Sequence, residues 1–230
     1  MTLSKSEYIL WRDCPHTAWL KKWRRSIYDE CAGDSLSDFE RALVETGNQV
    51  EEQARRLYPG GQLIEGRGNA AIELTAALLT QRQPVIFQAA FTDGSLFAAI
   101  DILLVNPTTS ALSVLEVKAT TEDKQPTKKP DKFLADSHVQ DLGFQVSLLQ
   151  RLGHTVERAA IMHLNKDYER RGALDLRALF VEDDVTDFLI GSMPAIDADI
   201  QKAVAVMSGD RELKGPCGCI YRGRSNHCRR

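Results

Sequence analysis

The sequence predicts an α/β (α+β) fold in which a central mixed sheet, carrying an antiparallel meander, is flanked by helices. Three observations predict it. Residues 85–91, 96–105 and 112–119 are apolar, β-prone runs separated by the turn signals Thr92-Asp93-Gly94-Ser95 and Asn106-Pro107-Thr108-Thr109. Residues 38–58 and 137–152 carry apolar side chains at the three- to four-residue spacing of amphipathic helices. A further β-prone run, 156–164, follows the second of these helices.

Each element has a local justification. Ser4-x-x-Glu7 is a capping box that opens a helix through the aromatic-rich residues 8–23, interrupted near Pro15. Residues 29–37 read as a loop. In 38–58 the helical face is Leu43, Gly47, Val50, Ala54 and Leu57, the stop is Pro59-Gly60-Gly61, and Glu45, Glu51 and Glu52 stand on the flank. Residues 62–65 add a short strand, and 69–79 fit either a strand or a short helix. The meander is followed by a Lys-, Thr- and Pro-rich loop over 120–131. In 137–152, closed by Gly153, Val139, Leu142, Val146 and Leu149 form the core stripe; Asp141 and Gln145, one turn apart, lie on the adjoining flank with His138. His163, alternating with buried strand positions, reads as structural. Residues 185–207 read as helix broken at Pro194. The chain is one domain, 1–230, with its core at about 38–207, an N-terminal helix at 4–28 and a tail at 208–230.

Composition sets the bounds. A chain of 230 residues buries about 70–75% of its unfolded surface, enough for one substantial domain. With 43% hydrophobic and 27% charged residues it has the make-up of an ordinary soluble globular protein. No apolar run approaches the ~20 residues of a membrane span, and the start Met1-Thr2-Leu3-Ser4-Lys5 is too polar for a signal peptide. No membrane partner is expected, and the cytoplasm is the expected compartment. The net charge is −3, so affinity for nucleic acid has to come from local patches. Such patches stand at Lys21-Lys22-Trp23-Arg24-Arg25, around Lys124, Lys128, Lys129 and Lys132, and at the C-terminus. A basic cluster with an aromatic inside it grips phosphates and stacks on a base; the same pattern also makes a solvated helix face.

Asp101, Glu116 and Lys118 are the residues that carry chemistry. Side chains on a strand alternate, so Glu116 and Lys118 share one face while Leu115 and Val117 take the other. Asp101, set between Ile100 and Ile102, is costly to bury without a partner. Two carboxylates and an ammonium on neighbouring strands are a minimal set for metal-assisted phosphodiester hydrolysis. A divalent cation lowers the pKa of a bound water towards ~7 in the best cases and acts as a Lewis acid on a phosphoryl oxygen. Oxygen ligands of this kind suit Mg²⁺ or Mn²⁺. The alternative for the same residues is a surface salt bridge on a half-exposed sheet.

The cysteines form a second pattern. Cys14 and Cys31 lie early, and Cys217, Cys219 and Cys228 fall within the last fourteen residues. Without an export signal, such a cluster reads as metal or cluster ligation rather than disulfides. Three thiolates in the tail need a fourth ligand, and Cys14, followed by Pro15, is the obvious donor. Spacing leaves open an iron–sulfur cluster, a Cys₄ zinc site, a Cys₃His zinc site using His227, and unligated thiols. Cys31 reads as an ordinary small buried residue.

The order of parts resembles the RecB-like branch of the PD-(D/E)xK nuclease superfamily. The resemblance rests on a helix with Gly47-x-x-x-Glu51, a strand with Asp101, a strand with Glu116-x-Lys118 and a helix with Gln145, and it covers nearly the whole chain. More narrowly, Leu3-Ser4-Lys5-Ser6, Cys14-Pro15, Leu57-Tyr58-Pro59-Gly60-Gly61, Asp141-x-x-x-Gln145 and Leu164-Asn165-Lys166-x-Tyr168 are similar to the N-terminal part of an uncharacterised bacterial family of RecB-like nucleases. The resemblance implies a restriction-endonuclease-like core and a metal-dependent deoxyribonuclease, an exonuclease on DNA ends or single strands. It implies that Asp101, Glu116 and the backbone carbonyl of Val117 hold Mg²⁺ or Mn²⁺, with Glu51 completing the shell. Lys118 would position the attacking water, and Gln145 would hydrogen-bond near Lys118 or the DNA. Leu149 stands where the group often has Tyr. The placement of Cys14, Cys217, Cys219 and Cys228 resembles the arrangement that holds a structural 4Fe-4S cluster in CRISPR-adaptation and AddB-type nucleases, although the tail spacing of one residue and then eight differs from the usual two and then about five, with Zn²⁺ the alternative; here it would join the N-terminal helix to the tail. The implied partners are DNA and proteins of DNA repair or defence. Lys21, Lys22, Arg24, Arg25, Lys128 and Lys129 are the candidate nucleic-acid contacts. The alternatives are a non-catalytic DNA-binding module of the same fold and a zinc-stapled nuclease acting on RNA.

Overall fold

The computed structural model describes residues 2–32, 38–122 and 130–209. In chain order these form β1 (Leu3–Ser4), α1 (Lys5–Asp13), α2 (Pro15–Trp23), α3 (Arg25–Ala32), α4 (Asp38–Arg55), β2 (Gln62–Leu63), α5 (Asn69–Thr80), β3 (Val85–Thr92), β4 (Leu96–Val105), β5 (Leu112–Lys118), α6 (Pro130–Leu134), α7 (Ser137–Arg151), β6 (Val156–Leu164), α8 (Leu176–Leu179), β7 (Phe180–Asp184) and α9 (Thr186–Ser208). The α/β class holds: the described residues build one seven-stranded mixed sheet, ordered β2-β3-β4-β5-β6-β7 with β1 paired to β4 off that path, and helices lie on both faces. β3, β4 and β5 are the expected antiparallel meander, and α7 carries the chain across to β6, which lies parallel to β5. None of the helices among the described residues is long and apolar enough to cross a membrane.

Several elements differ from expectation. In the N-terminal segment the expected interruption near Pro15 is present, with Cys14 ending α1 and Pro15 starting α2, but a second break at Arg24 makes the segment three helices. Cys14 serves both ends: its N–H donates to Leu10 O at 2.8 Å, and its Sγ accepts the Thr17 N–H at 3.4 Å. α3 runs on to Ala32, through part of the expected loop. Residues 69–80 are helical. α6 starts where the loop at 120–131 was expected to end. The expected break at Pro194 is absent and α9 is continuous. Proline removes the hydrogen bond to residue 190; Ile190 and Pro194 are both exposed, so the freed carbonyl is open to water.

Two cores cover the sheet. Leu3, Tyr8 and Ala18 from the N-terminal segment join Ile100, Leu103, Phe144, Ile161 and Ile196 in the larger one, so β1, α1 and α2 belong to the core rather than hanging from it. The smaller core packs Ala54 of α4 against Phe87, Ile102, Leu115, Val117 and Met162. α7 runs through the larger core and is buried on every side from 139 to 149, where a single apolar stripe was expected. Tyr8 stacks on Phe144 with ring centroids 5.1 Å apart, and its hydroxyl donates to Gln140 at 2.6 Å. At Gly143 a Cβ would stand 2.8 Å from Ile196 Cδ1, so the missing side chain lets α9 close on α7. Asp141 and Gln145 are therefore inside the protein, on a helix turned towards the end of β5.

Candidate active site

The site is a notch in the sheet. The β4–β5 ladder runs from Val105↔Leu112 to Ile102↔Leu115 and stops. Further along β4, Leu96 and Phe97 pair instead with β1, while β3 holds the opposite edge of the strand. The stretch of β4 between them faces the end of β5 with no ladder, and Asp101 and Glu116 look into the gap. Val117 N–H, left without a strand partner on that side, donates to Asp101 Oδ2 at 2.9 Å.

The sheet is deformed at the same place. Gln88 lies opposite Asp101 in the β3–β4 register and has φ +56, a conformation that costs a non-glycine residue ~1–3 kcal/mol. The pleat changes phase there: Ile100 and Leu103, three residues apart, both face the larger core, as do Ile86 and Ala89 opposite them. Asp101 is turned out of both cores. Gln88 Nε2 donates to Asp101 Oδ1 at 3.2 Å and to Glu51 Oε1 at 2.7 Å, linking the sheet to α4. Glu51 also pairs with Arg55 at 2.8 Å, and Glu52, one position on, is exposed.

Glu116 is the centre of the charge network and is only 1% exposed. Lys118 Nζ is 2.7 Å from its Oε1, Lys5 Nζ is 3.0 Å from each of its oxygens, and Gln145 Nε2 donates to Oε2 at 2.6 Å. Lys118 also meets Asp141 Oδ2 at 2.6 Å, and Lys5 meets Asp141 Oδ1 at 3.5 Å. Burial favours a neutral Glu116, but Lys118 and Lys5 outweigh it and hold the carboxyl well below its ordinary range. Burial likewise opposes charge on both lysines, and the surrounding carboxylates, Glu116 first, reverse that and raise them. Asp101 goes the other way. Burial, and then the Glu116 charge, push it up to about 7. The same two causes push Asp141 to about 6.

These residues fit a hard divalent cation. No three His, Cys, Asp or Glu side chains among the described residues form a ready-made cage. The donors are nevertheless carboxylate oxygens, and Asp101 is short of positive charge. Gln145 Oε1 is buried with no hydrogen-bond partner among the described residues, an acceptor that a hydrated cation would satisfy. Asp101 and Glu116 are the residues that would hold the ion, with Glu51 behind Gln88. Beside Asp101 opens a cleft of about 400 Å³ whose walls include Lys5, Lys21, Arg67, Gln88 and Phe97.

No family model and no curated protein sequence matches this chain.

Sequence-predicted residues fall into three groups. Asp101, Glu116, Lys118, Val117 and Gln145 come together, and Glu51 reaches them through Gln88. Gln145 is wholly buried and donates to Glu116. The basic residues of α2 and α3 are partly engaged within the protein: Lys22 pairs with Glu7 at 3.2 Å, Arg25 with Asp29 at 2.8 Å, and Arg24 lies over the Trp19 ring. Lys21 alone of that set lines the cleft. His163 is buried on Asp183 at 2.9 Å, as a structural side chain should be. Cys217, Cys219, Cys228, His227, Lys128 and Lys129 lie outside the described residues, as does the side chain of Cys31.

Sequence reasoning gave no role to Lys5 or Gln88. A lysine in the first turn opposes the helix dipole, and an amide inside the apolar run 85–91 interrupts the pattern. Those broken local rules were the available signals.

Proposed function

We propose that the chain is a metal-dependent deoxyribonuclease of the RecB-like PD-(D/E)xK branch, with a restriction-endonuclease-like core, acting on DNA ends or single strands. The observation that carries this reading is the meeting of Asp101, Glu116 and Lys118 where β4 and β5 part. A bound Mg²⁺ or Mn²⁺ supplies Lewis acidity towards a phosphoryl oxygen and makes a nucleophile available at neutral pH. Asp101 and Glu116, with the Val117 carbonyl, are the proposed ligands. Lys118, fixed between Glu116 and Asp141, orients the attacking water and stabilises negative charge as it develops. Gln145 keeps Glu116 in place. Lys21 and Arg67 offer the cleft's walls to phosphates, and Phe97 offers a face for a base.

A 4Fe-4S cluster on Cys14, Cys217, Cys219 and Cys228 remains part of the proposal, with Zn²⁺ as the alternative metal. Cys14 is buried at the N-terminus of α2, where its Sγ accepts the Thr17 N–H. Trp19 of α2 donates to the Gly209 carbonyl at 3.1 Å, so the chain leaves α9 beside the helix that Cys14 caps. The eight residues on to Cys217 reach up to ~26 Å.

The test is anaerobic purification, iron content and an absorption spectrum, then cleavage of single- and double-stranded DNA with Mg²⁺ or Mn²⁺. Glu116→Ala and Lys118→Ala should abolish cleavage and leave DNA binding largely intact. Loss of both together would mark these residues as structural. Cys228→Ala should lose the brown colour, and a colourless, stable wild type would remove the cluster from the proposal. The pairing of every carboxylate in the notch with a cation or amide favours one second reading, a non-catalytic DNA-binding module. Wild-type protein that binds DNA and never cuts it would select that reading.

A further inference from the structure

Lys5 is placed with a firmness that its own helix does not require. β1 pins Leu3 and Ser4 to Leu96 and Phe97 of β4, and Ser4 and Glu7 close the capping box, so the first residue of α1 is held over the notch from both sides. The dipole of α1 disfavours a cation there. Its ammonium nevertheless sits 3.0 Å from both oxygens of Glu116 and 3.5 Å from Asp141. It therefore occupies both oxygens of Glu116, the carboxylate that a bound cation would share with Asp101.

The charge balance points the same way. With every carboxylate ionised, as around a bound cation, Glu51, Asp101, Glu116 and Asp141 face Lys5, Lys118 and Arg55, which leaves the set one positive charge short. A divalent ion added with Lys5 still seated would overshoot neutrality, whereas a divalent ion in exchange for the Lys5 charge would reach it. Buried charge sets are most stable when balanced. Lys5 also lines the cleft next to Asp101, so the displaced ammonium has a solvated place to go, on the side from which a phosphate would approach.

We propose that Lys5 is a built-in counter-cation, which holds Glu116 and Asp141 together in the metal-free protein and is displaced into the cleft when a divalent ion binds. This rests on the metal-dependent reading above. It makes Lys5 a positioning residue for the carboxylates before the metal arrives and a contact for substrate phosphate afterwards.

The experiment is calorimetric titration with Mn²⁺ and thermal melting in EDTA and in Mn²⁺, on the wild-type chain and on Lys5→Gln, Lys5→Arg and Lys21→Gln. Lys5→Gln should melt below wild type in EDTA, bind Mn²⁺ about 10-fold more tightly or better, and gain more from Mn²⁺ in melting temperature. Lys5→Arg, whose forked guanidinium grips Glu116 in two places, should bind Mn²⁺ about 10-fold more weakly. Lys21→Gln, which removes a charge from the same cleft, should stay within about twofold of wild type. Lys5→Gln that binds Mn²⁺ no better than wild type overturns the proposal, and so does unchanged affinity in Lys5→Arg if the Gln variant does not fold. Equal Mn²⁺ binding by all four proteins rejects the role of Lys5 alone. If none of them binds Mn²⁺, the metal-dependent reading fails and the counter-cation proposal falls with it.

Discussion

Lys118 on β5 and Asp141 on α7 are joined by a 2.6 Å ion pair, Nζ to Oδ2, that fixes the end of the strand to the second turn of the helix. The pair gives Lys118 one orientation beside Glu116, and it ties the chemistry of the notch to the most deeply buried helix in the protein.

Asp141→Asn should therefore leave the fold in place and loosen Lys118. On the proposed activity, kcat should fall about 10- to 100-fold with KM little changed, because the substrate-facing cleft is untouched. Steady-state kinetics with Mn²⁺, alongside a melting curve, make the check. Wild-type kcat in this variant would show that Lys118 needs no such orientation.

Gln145 is wholly buried and donates to Glu116 Oε2 at 2.6 Å. Gln145→Met keeps the volume and deletes a charge-assisted hydrogen bond worth about 1.5–3 kcal/mol. Melting temperature should drop accordingly, and Mn²⁺ affinity should weaken about 10-fold as Glu116 loses its fixed rotamer. Calorimetry on the folded variant decides; unaltered Mn²⁺ binding would leave Gln145 a packing residue.

Asp101 carries a pH signature. Burial and Glu116 push its carboxyl up to about 7, so between about pH 4 and pH 7 the folded chain keeps a proton that the unfolded chain has lost. Stability of the metal-free protein should fall as pH rises across that window and level off above it. Asp141, pushed to about 6, adds to the slope with the same sign. Glu116, held low, contributes stability that is lost only as pH drops below its ordinary range. Asp101→Asn removes the larger of the two raised titrations, keeps an acceptor for Val117 N–H, and should exceed wild type by about 1–3 kcal/mol at pH 8 in EDTA. The gap should close towards pH 4. Denaturant melts at several pH values test this, and a gap that does not vary with pH would contradict the placement of Asp101.

Gly61 ends the motif Tyr58-Pro59-Gly60-Gly61 and packs on the ring of Phe87. A Cβ there would lie 2.4 Å from two ring carbons and 3.1 Å from Val85 Cγ1. Gly61→Ala should cost about 1–3 kcal/mol, since the ring has no room to yield in the smaller core. Phe87 precedes Gln88, so the strain should also reach the Glu51–Gln88–Asp101 link. A melting temperature equal to wild type would mean that β2 gives way instead.

What was legible in the sequence followed from local rules. Strand alternation put Glu116 and Lys118 on one face with Leu115 and Val117 behind them, and the structure has α7 on the first side and the smaller core on the second. The capping box at Ser4 and Glu7 and the helix start at Pro15 were equally local. β7 was missed because it is a short edge strand in which Glu182, Asp183 and Asp184 follow one another, with Glu182 and Asp184 meeting Arg158, and it has no apolar alternation to read. α7 looked amphipathic because one apolar stripe shows in its sequence; that α1 and α9 would cover the rest is a tertiary fact. Gln88 could be found as an odd residue in a strand, but its left-handed backbone could not, since it exists only where the pleat changes phase.

The notch has a further meaning for how the protein is made. Lys5 and Glu116 are 111 residues apart, and the two residues of β1 have no strand to lie against until β4 exists. On a ribosome the segment bearing Lys5 emerges long before its partners and must wait for them. The centre is therefore assembled late in synthesis, and a nascent chain without β5 and α7 has not yet gathered this set of charges.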